Sequence, residues 1–512
     1  MSVIRSRSKA YQVKALDNFT GGLAVHPQND NEAEVFENLE WDRNGWPISR
    51  LGCYKENDAS IGSEQVMGIG IGQTGSQISI IVAKTGNTWY YANKTALSPR
   101  AYASFTCASP GNDPVRFEFC LNIAGIPYAF IANKNFSGVY SWQNSMATAT
   151  VVAGSPVNVQ YLRWFGSHLY ASGNDAAPYT VYFSDTVDPF KWPTLNNFNV
   201  PSVAGKITGL EIQPGQLLII CEAGIWVMRG DPPLAFVITQ IQKNIGCDKP
   251  LSISTEGSAT TFIYNQTIMV ISEDVKSISD KIRGYKLGNV SSGGQSESLL
   301  NANFFVCTIN WNIGLTPNLL TNLGSVDVLY MDRNRWGSWG VFKYYNNTAI
   351  GFLYPVHSFV VSPDGTGIIM NSGDGNLYNQ PLRSYNTINM DATSANFTMD
   401  DGVRGVPVPV VSKIRTKRLF FGNSTLQKQI RMLTVGCDGI NGTVNLRMWD
   451  SMGLLSVYPA LTNVVLPCQT DLAGIPSSMM SMEVDVVGSN MELRDMTIAW
   501  RPVRLDVGPA LL

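Results

Sequence analysis

Three glycines, Gly70, Gly72 and Gly75, have the spacing G-x-G-x-x-G that brings backbone N–H groups to a pyrophosphate in dinucleotide-binding proteins. That chemistry requires a helix directly after the glycines, because the helix N-terminus faces the phosphates. Residues 77–82 read Q-I-S-I-I-V instead, an apolar and β-branched run that is typical of a strand. We therefore predict a strand here, and no dinucleotide site.

Residue types that bind metals or transfer protons are few and scattered. Residues 371–376 read N-S-G-D-G-N, but they supply one carboxylate where a calcium loop uses several, so we predict a hairpin turn. The histidines His26, His168 and His357 are far apart, and the acid pair at 400–401 has no evident partner that would separate the two pKa values. The sequence thus predicts no catalytic residue, metal ligand or cofactor, and a protein that is not an enzyme.

One segment carries charge of a single sign. Residues 402–437 contain seven basic residues and no acid. Lys413, Arg415 and Lys417 alternate along a predicted strand and so share one face, with Arg418 beside them. We predict that these four residues contact phosphates or an acidic partner. The alternative is a strand face covered by water.

The composition favours a chain that assembles with other chains. Charged residues are 15% of the 512, well below the usual share, whereas the chain keeps 20 Tyr, 21 Phe and 12 Trp. Subunit interfaces are enriched in aromatic and depleted in charged residues, so we expect an oligomer. The formal net charge of -2 gives no overall attraction to nucleic acid or acidic membranes. The eight cysteines include no C-x-x-C pair, which favours buried free thiols.

The first residues are basic but do not form a secretory signal. Arg5, Arg7 and Lys9 are followed by no apolar segment, and no run in the chain approaches the roughly 18 apolar residues of a membrane span. We expect assembly in the cytoplasm and no membrane insertion. Tyr11 and Val13 alternate beyond the basic residues, which predicts an arm that adds a strand to the edge of a neighbouring domain. The alternative is a disordered terminus.

The apolar pattern predicts an all-β fold. Residues 207–242 divide into four short strands at turns rich in glycine and proline, and so form one antiparallel sheet. The pattern of glycine, apolar and aromatic residues at 224–226 returns at 138–140 and 375–378, at intervals near multiples of roughly 40 to 50 residues, the period of propeller blades. We therefore predict a β-propeller of roughly six to seven blades.

The predicted domains are an N-terminal arm with one short helix, the propeller and a small β-sandwich, at residues 1–62, 63–395 and 396–512. The helix is predicted at residues 31–39, where capping and acidic residues come first and Val35, Phe36 and Leu39 fall on one face. The sandwich is predicted because apolar residues alternate at period two after residue 409.

Three groups of motifs resemble one family of proteins. The first is N-F-x-G-G-L at 18–23, followed by E-N, D-x-x-G and R-x-G. The second is G-I-W-V-M-R-G at 224–230, followed by V-I-T-Q-I and I-G-C-x-x-P-x-S-I. The third is I-x-T-x-x-L-x-F-G at 414–422, followed by K-x-I-R. In this order they resemble the tail nozzle and hub proteins of short-tailed phages, also called tail tubular protein B or packaged-DNA stabilisation protein.

The resemblance implies a structural protein of the phage virion. Such a protein would form a homohexamer below the adaptor ring of the tail. It would conduct double-stranded genomic DNA through its lumen without sequence specificity and retain that DNA until infection. Its partners would be the adaptor and the tail fibres or needle, and its location would be the virion tail, after assembly in the host cytoplasm.

Two other functions fit a propeller rich in Trp and Tyr. Exposed aromatic rings suit sugar faces, so a carbohydrate-binding or glycoside-acting propeller is the first alternative. Two carboxylates about 5 to 10 Å apart at the propeller axis would favour a glycosidase. A receptor-binding protein of the tail is the second alternative, although such proteins usually have trimeric repeats.

Overall fold

The computed structural model describes residues 54–278, apart from 97–99, 234 and 266, together with separate strands on either side of that range. Strands make up 54% of the chain and helical turns 3%, so the prediction of an all-β fold is confirmed. Within the described residues the helical segments are two short 3-10 turns, Ser202–Ala204 and Pro250–Ser252.

Five antiparallel sheets of four strands, named sheets I to V, follow one another along residues 66–277. In each sheet every strand pairs with the next strand in the chain. The strands are Val66–Thr74, Gln77–Lys84, Thr88–Asn93 and Ala103–Thr106 in sheet I; Arg116–Leu121, Pro127–Ala132, Tyr140–Trp142 and Thr150–Val151 in II; Tyr161–Phe165, His168–Ser172, Thr180–Phe183 and Asn197–Asn199 in III; Ile207–Gln213, Gln216–Cys221, Gly224–Asp231 and Ala235–Lys243 in IV; Ser254–Glu256, Ala259–Tyr264, Thr267–Ile271 and Val275–Ser277 in V. Sheet IV confirms the sheet predicted at residues 207–242.

Two further sets of strands, VI and VII, repeat this order later in the chain. Set VI contains Ser296–Leu299, Phe304–Ile309, Ser325–Tyr330 and Arg335–Trp339. Set VII contains Phe359–Val361, Gly367–Asn371 and Leu377–Pro381. Its fourth strand, Tyr54–Lys55, comes from the other end of the chain and pairs antiparallel with Leu377–Pro381. Set VII therefore combines early and late residues.

The remaining described strands lie towards the two ends of the chain, apart from one hairpin in the second half. They are Gln12–Leu16, Gly22–Leu23, Glu32–Glu37, Leu39–Trp41, Pro47–Ser49, the hairpin Lys343–Asn346 and Ala349–Phe352, then Asp400–Val403, Val406–Pro409, Val411–Thr416, Lys428–Asp438, Thr443–Asp450, Gly453–Val457, Leu461–Thr462, Cys468–Asp471, Pro476–Ser477, Ser481–Val487 and Glu492–Pro502. Glu32–Glu37 shares a sheet with Val411–Thr416, and Gln12–Leu16 shares one with Glu492–Pro502. Strands from the predicted first and last domains are thus hydrogen-bonded to each other.

The first strand of each sheet lies beside the first strand of the next. Val66–Thr74 contacts Arg116–Leu121, and the same relation holds from sheet II to III, III to IV, IV to V, V to set VI, and VI to VII. Phe359–Val361, the first strand of set VII, in turn contacts Val66–Thr74. Taken in chain order, the first strands therefore lead back to sheet I.

Sheet IV is covered on both of its faces. In its second strand, Leu217 and Ile219 join a core shared with sheet III, whereas Leu218 and Ile220 join a core shared with sheet V. All four side chains are fully buried. Because successive residues of a strand point to opposite faces, an apolar residue at every position requires a neighbouring sheet on each side. This requirement explains the unbroken apolar run L-L-I-I.

The prediction of a helix at residues 31–39 is wrong, because this segment contains the strand Glu32–Glu37. Glu32–Glu37 pairs antiparallel with Val411–Thr416, and Phe36 stands opposite Ile414, which is buried. The capping and acidic residues are a local signal for a helix. Pairing with a strand from the far end of the chain outweighs it, since tertiary context overrides intrinsic propensity.

The glycines of the G-x-G-x-x-G motif let sheet II approach sheet I closely. Gly70 and Gly72 lie in Val66–Thr74, and the strand predicted at residues 77–82 is confirmed as part of Gln77–Lys84. A Cβ atom on Gly70 would lie 2.6 Å from Cγ of Phe117, and one on Gly72 would enter the ring of Phe119. Glycine is required here because two first strands pack face to face with aromatic rings between them.

A buried polar network holds the segment after Tyr54–Lys55 against set VII and sheet I. The Arg100 guanidinium forms an ion pair with Glu56, and the backbone N–H of Glu56 donates to the carbonyl of Leu377 at 2.9 Å. The N–H of Leu377 donates to Oδ1 of Asn57 at 2.8 Å. Glu56 and Asn57 are fully buried and Arg100 is 6% exposed. This network fastens residues near 56 to residues near 377.

We expect Gly72→Ala to lower the free energy of unfolding by about 1–3 kcal/mol, because the added methyl group would overpack against the Phe119 ring. Urea denaturation followed by tryptophan fluorescence measures the change. In a Phe119→Ala background the same substitution should cost much less, since the ring is absent. Equal costs in the two backgrounds would contradict this explanation of the glycine.

We expect Arg100→Met to lower the free energy of unfolding by roughly 3–5 kcal/mol, because it removes the Arg100 guanidinium from its ion pair with the buried Glu56 carboxylate. Hydrogen exchange at the Leu377 amide should accelerate, since its acceptor Asn57 belongs to the same network. The matched control is the double variant Glu56→Leu with Arg100→Met, which removes both charges and should recover part of the loss. A single variant as stable as the wild type would rule out a holding role for the ion pair.

Candidate functional site on the first strands

Three charged side chains meet where the first strands of sheets II, III and IV lie side by side. Arg163 of sheet III lies between Glu118 of sheet II and Glu211 of sheet IV. Its Nη2 and Nε atoms donate to the two oxygens of Glu211 at 2.5 and 3.2 Å, and its Nη1 atom lies 3.5 Å from Oε2 of Glu118. The side chains of Arg163, Glu118 and Glu211 are 24%, 17% and 8% exposed. The cluster is a largely buried ion-pair bridge across three sheets.

Each residue of this bridge is a charge flanked by apolar residues in the middle of a strand, although the strand of Glu118 begins with a second charge, Arg116. The local sequences are F-E-F around Glu118, L-R-W around Arg163 and L-E-I around Glu211. Because consecutive first strands contact each other, the three positions come together although they are far apart in the sequence. The backbone thus places two carboxylates on either side of one guanidinium.

Burial makes Glu118 the titratable member of the bridge. The pKa of Glu118 is raised from 4.5 to about 7, chiefly by loss of hydration on burial; Arg163 and the backbone N–H of Trp164 lower the pKa, and the Glu211 carboxylate adds a smaller increase to the net value. Glu211 receives two charge-assisted hydrogen bonds from Arg163, the stronger geometry of the two contacts. Glu118 is therefore the group through which this site responds to pH near neutrality.

The bridge can hold three sheets together through charge. Its two carboxylates also bear on the glycosidase alternative, which requires a pair of carboxyl groups about 5 to 10 Å apart. In this chain a guanidinium stands between them and engages both oxygens of Glu211. Glu211 therefore holds the Arg163 side chain in place between the strands. The glycosidase alternative stays a prediction.

His168 links sheet III to a turn of sheet IV. Its Nδ1 atom lies 2.7 Å from the carbonyl oxygen of Ser184, and its Nε2 atom lies 2.9 Å from the carbonyl oxygen of Pro232 and 3.3 Å from Oδ1 of Asp231. The ring is 1% exposed. The imidazole therefore contacts two backbone carbonyl groups and one carboxylate, all at the ends of strands or in turns, which supports a structural role for His168. The other two histidines lie outside the described residues.

The described cysteines Cys107, Cys120, Cys221 and Cys247 are free and buried, as predicted. Burial raises the pKa of Cys107, Cys221 and Cys247 to about 12, which keeps these thiols protonated and unreactive. In the part of the chain that the structure describes, no group of three or more His, Cys, Asp or Glu residues is placed to hold a metal ion. The same part contains no helix long and apolar enough to cross a membrane.

The two acidic segments singled out in the sequence lie at different places. Asn371 ends the strand Gly367–Asn371 and Asn376 precedes Leu377–Pro381, whereas residues 372–375 lie outside the described residues. The acids at 400–401 begin the strand Asp400–Val403, which pairs with Val406–Pro409. The structure brings neither segment to the Arg163 bridge.

The predicted basic contact falls on Val411–Thr416, an interior strand of its sheet. Ser412, Ile414 and Thr416 are buried, so Lys413 and Arg415 alternate with the buried positions, as predicted. On the two neighbouring strands, Glu37 and Asp485 stand opposite Lys413. Val35 and Glu483 stand opposite Arg415. Counting charges within residues 402–437 alone misses these acids, because neighbouring strands supply them. Lys417 and Arg418 lie outside the described residues, and contact of the four with phosphates or a partner stays a prediction.

The predicted assembly residues Arg5, Arg7 and Lys9 also lie outside the described residues. The strand Gln12–Leu16, which follows them, pairs antiparallel with Glu492–Pro502 of the same chain. The predicted alternation around Val13 is thus used in a sheet within one chain. Whether the basic residues before it reach a neighbouring subunit stays a prediction.

Our sequence analysis did not identify the bridge of Glu118, Arg163 and Glu211. A signal was present, because each residue is the one charge at the centre of an apolar strand that opens a four-stranded sheet. An alignment of the sheets by their first strands would have brought the three together. No protein-family model matches this chain, and no curated protein sequence matches it.

Because folding raises the pKa of Glu118 from 4.5 to about 7, the folded chain binds more protons than the unfolded chain between these values. The stabilisation from protonated Glu118 is complete below about pH 4.5 and is lost as the pH rises through about 7. We therefore expect the free energy of unfolding to fall across this window, and Glu118→Gln to flatten that part of the pH profile.

Urea denaturation at pH 5 and at pH 7.5 measures the effect, and the difference between the two pH values is compared for wild type and variant. The matched control is Glu222→Gln, which removes a carboxylate that is 46% exposed beside Lys206. The control should retain the slope of the wild type. A slope in Glu118→Gln that equals that of the wild type would show that another group titrates.

Proposed function

We propose that this chain is a structural subunit of the tail of a short-tailed phage, a nozzle or hub protein built on a seven-bladed β-propeller. Six copies form a ring that extends the tail tube below the adaptor, conducts genomic DNA and retains it until infection. The observation that carries the proposal is the succession of four-stranded sheets whose first strands contact one another in chain order.

The propeller accounts for both ends of this succession. In this proposal, sheets I to V and sets VI and VII are the seven blades. Phe359–Val361 of set VII lies beside Val66–Thr74 of sheet I, and their shared core includes Val66, Ile80 and Ile369. Tyr54–Lys55 completes set VII from the start of the chain. Closing a ring of blades with an early strand stabilises it, because neither terminal sheet is left with a bare face.

The second group of motifs behind the phage resemblance occupies positions where packing demands its residues. The motif G-I-W-V-M-R-G lies on the third strand of sheet IV, where Ile225, Val227 and Met228 are at most 1% exposed. In the motif I-G-C-x-x-P-x-S-I, a Cβ atom on Gly246 would lie 2.6 Å from a backbone carbon of Glu222. These motifs are therefore structural, which supports a shared fold with the nozzle and hub proteins.

Exposed apolar residues support an assembled state. Leu121 and Ile123 of sheet II are 52% and 71% exposed, and Val187 and Leu195 of sheet III are 51% and 89% exposed. Leu121 and Ile123 lie at the connection between the first two strands of sheet II, and Val187 and Leu195 lie between the last two strands of sheet III. Exposed apolar side chains on a charge-poor chain are compatible with burial against another subunit. The number six comes from the resemblance to the phage proteins.

We expect the purified chain, mixed with its adaptor ring at micromolar concentration, to form particles of six times the chain mass of 56.0 kDa bound to the adaptor. Mass photometry gives the mass, and negative-stain class averages should have six-fold symmetry around an open lumen. A monodisperse monomer under these conditions would overturn the ring. A monomer that binds oligosaccharides would favour the carbohydrate-acting alternative instead.

A further inference from the structure

The fourth strand of sheet IV is an unusually long edge. Ala235–Lys243 has nine residues, whereas the fourth strands of sheets I, II, III and V have two to four. Within the described strands it pairs only with Gly224–Asp231, on one side. Its other side presents a row of backbone N–H and C=O groups that a further strand can pair with.

This edge has few of the features that prevent strand addition. Residues 235–242 include no charged residue and no proline, although proteins commonly use both to protect an edge. Val237 is 66% exposed on one face of the strand, and Phe236 and Ile238 are half-buried on the other. A bulge at Ile241 interrupts the pairing with Gly224–Asp231. The regular part of the edge is therefore residues 235–240.

We propose that this edge binds the same strand of a second copy of the chain, antiparallel, around a two-fold axis at Val237. In that register Val237 faces itself, Phe236 faces Ile238 of the other copy, and Ala235 faces Thr239. Cross-strand pairs of an aromatic with a β-branched residue are among those that stabilise antiparallel sheets. The two sheets IV become one sheet of eight strands.

The partner is a second copy because the uncharged edge meets an identical uncharged edge, with matching side chains opposite each other. Residues 235–242 carry no charge, so two copies meet without like-charge repulsion. Lys243 ends the strand beyond the bulge, outside the regular part of the edge. Arg229 and Asp231 of the paired strand are engaged within their own chain: Arg229 donates to Gln216 at 2.9 Å, and Asp231 accepts from Ser167 at 2.8 Å. Phe236 already packs on Phe198 of sheet III, with ring centroids 5.4 Å apart, so the pairing extends an existing core.

This contact is independent of the ring proposed above. A two-fold contact joins two chains symmetrically, whereas a ring of six uses two different surfaces of each chain. The paired state is a property of the chain free of its adaptor. The ring and the edge contact can therefore succeed or fail separately.

The test uses Val237→Cys, because a residue on a two-fold axis meets its own copy. Directly opposite residues of antiparallel strands place their Cβ atoms about 4.5–5.5 Å apart, close enough for a disulfide after a small adjustment. We expect diamide oxidation of the free chain at micromolar concentration to give a covalent dimer at least tenfold faster than in Val203→Cys. Val203 is an 83% exposed loop residue and is the matched control. Wild-type protein oxidised in the same way measures the rate of dimer formation through the native cysteines.

A second variant, Val237→Lys, places like charges on the axis and should raise the dimer dissociation constant at least tenfold in sedimentation equilibrium. Val237 is 66% exposed, so both variants should fold, which circular dichroism checks. Cross-linking of Val237→Cys no faster than that of Val203→Cys, or a wild-type chain that stays monomeric, overturns the edge contact. If the edge contact fails but a six-fold particle forms with the adaptor, the proposed ring is still supported. Rapid cross-linking without a six-fold particle supports the edge contact and contradicts the ring.

Discussion

A four-stranded sheet with two apolar faces is stable only when both faces are covered, and this constraint determines the arrangement of the chain. Leu217 and Leu218 are neighbours in sequence, yet they belong to the cores on opposite sides of sheet IV. Each sheet thus depends on the sheet before it and the sheet after it. A succession of such sheets has two ends, and here the far sets of strands return to the first: Ile369 and Leu377 pack with Val66 and Ile80.

Two buried polar clusters of this chain connect strands of different sheets and so fix the position of one sheet relative to the next. The Arg163 bridge joins three consecutive first strands, and the network of Glu56, Asn57 and Arg100 joins the segment after residue 55 to set VII. Both are buried, so their value lies in geometry: a buried charge that loses its partner is costly, whereas the intact pair adds little net stability. These interactions favour one relative position of the sheets over shifted positions, in which a buried charge would lose its partner.

The sequence predicts best what is decided locally. Turns at Gly and Pro residues and runs of apolar residues predict the strands of sheet IV, and the strand after the G-x-G-x-x-G motif. What depends on distant partners could not be predicted in this way. The segment 31–39 has local helix signals, but its strand partner is Val411–Thr416. Lys413 and Arg415 stand opposite acidic positions of neighbouring strands, which a count of charges within residues 402–437 leaves out. Glu118 and Arg163 meet because two separate sheets stack.

The strand Tyr54–Lys55 has a consequence for synthesis on the ribosome. Sheet I leaves the ribosome early, but the face that contains Ile80 and Val82 is covered by residues such as Ile369 and Leu377, roughly 300 residues later. At translation rates of about 5–20 residues per second, that face waits for roughly 15–60 s. During this time the apolar face of sheet I is exposed, and the strand Tyr54–Lys55 has not yet paired with Leu377–Pro381. This face of sheet I is therefore a surface for nascent-chain chaperones to shield until set VII emerges.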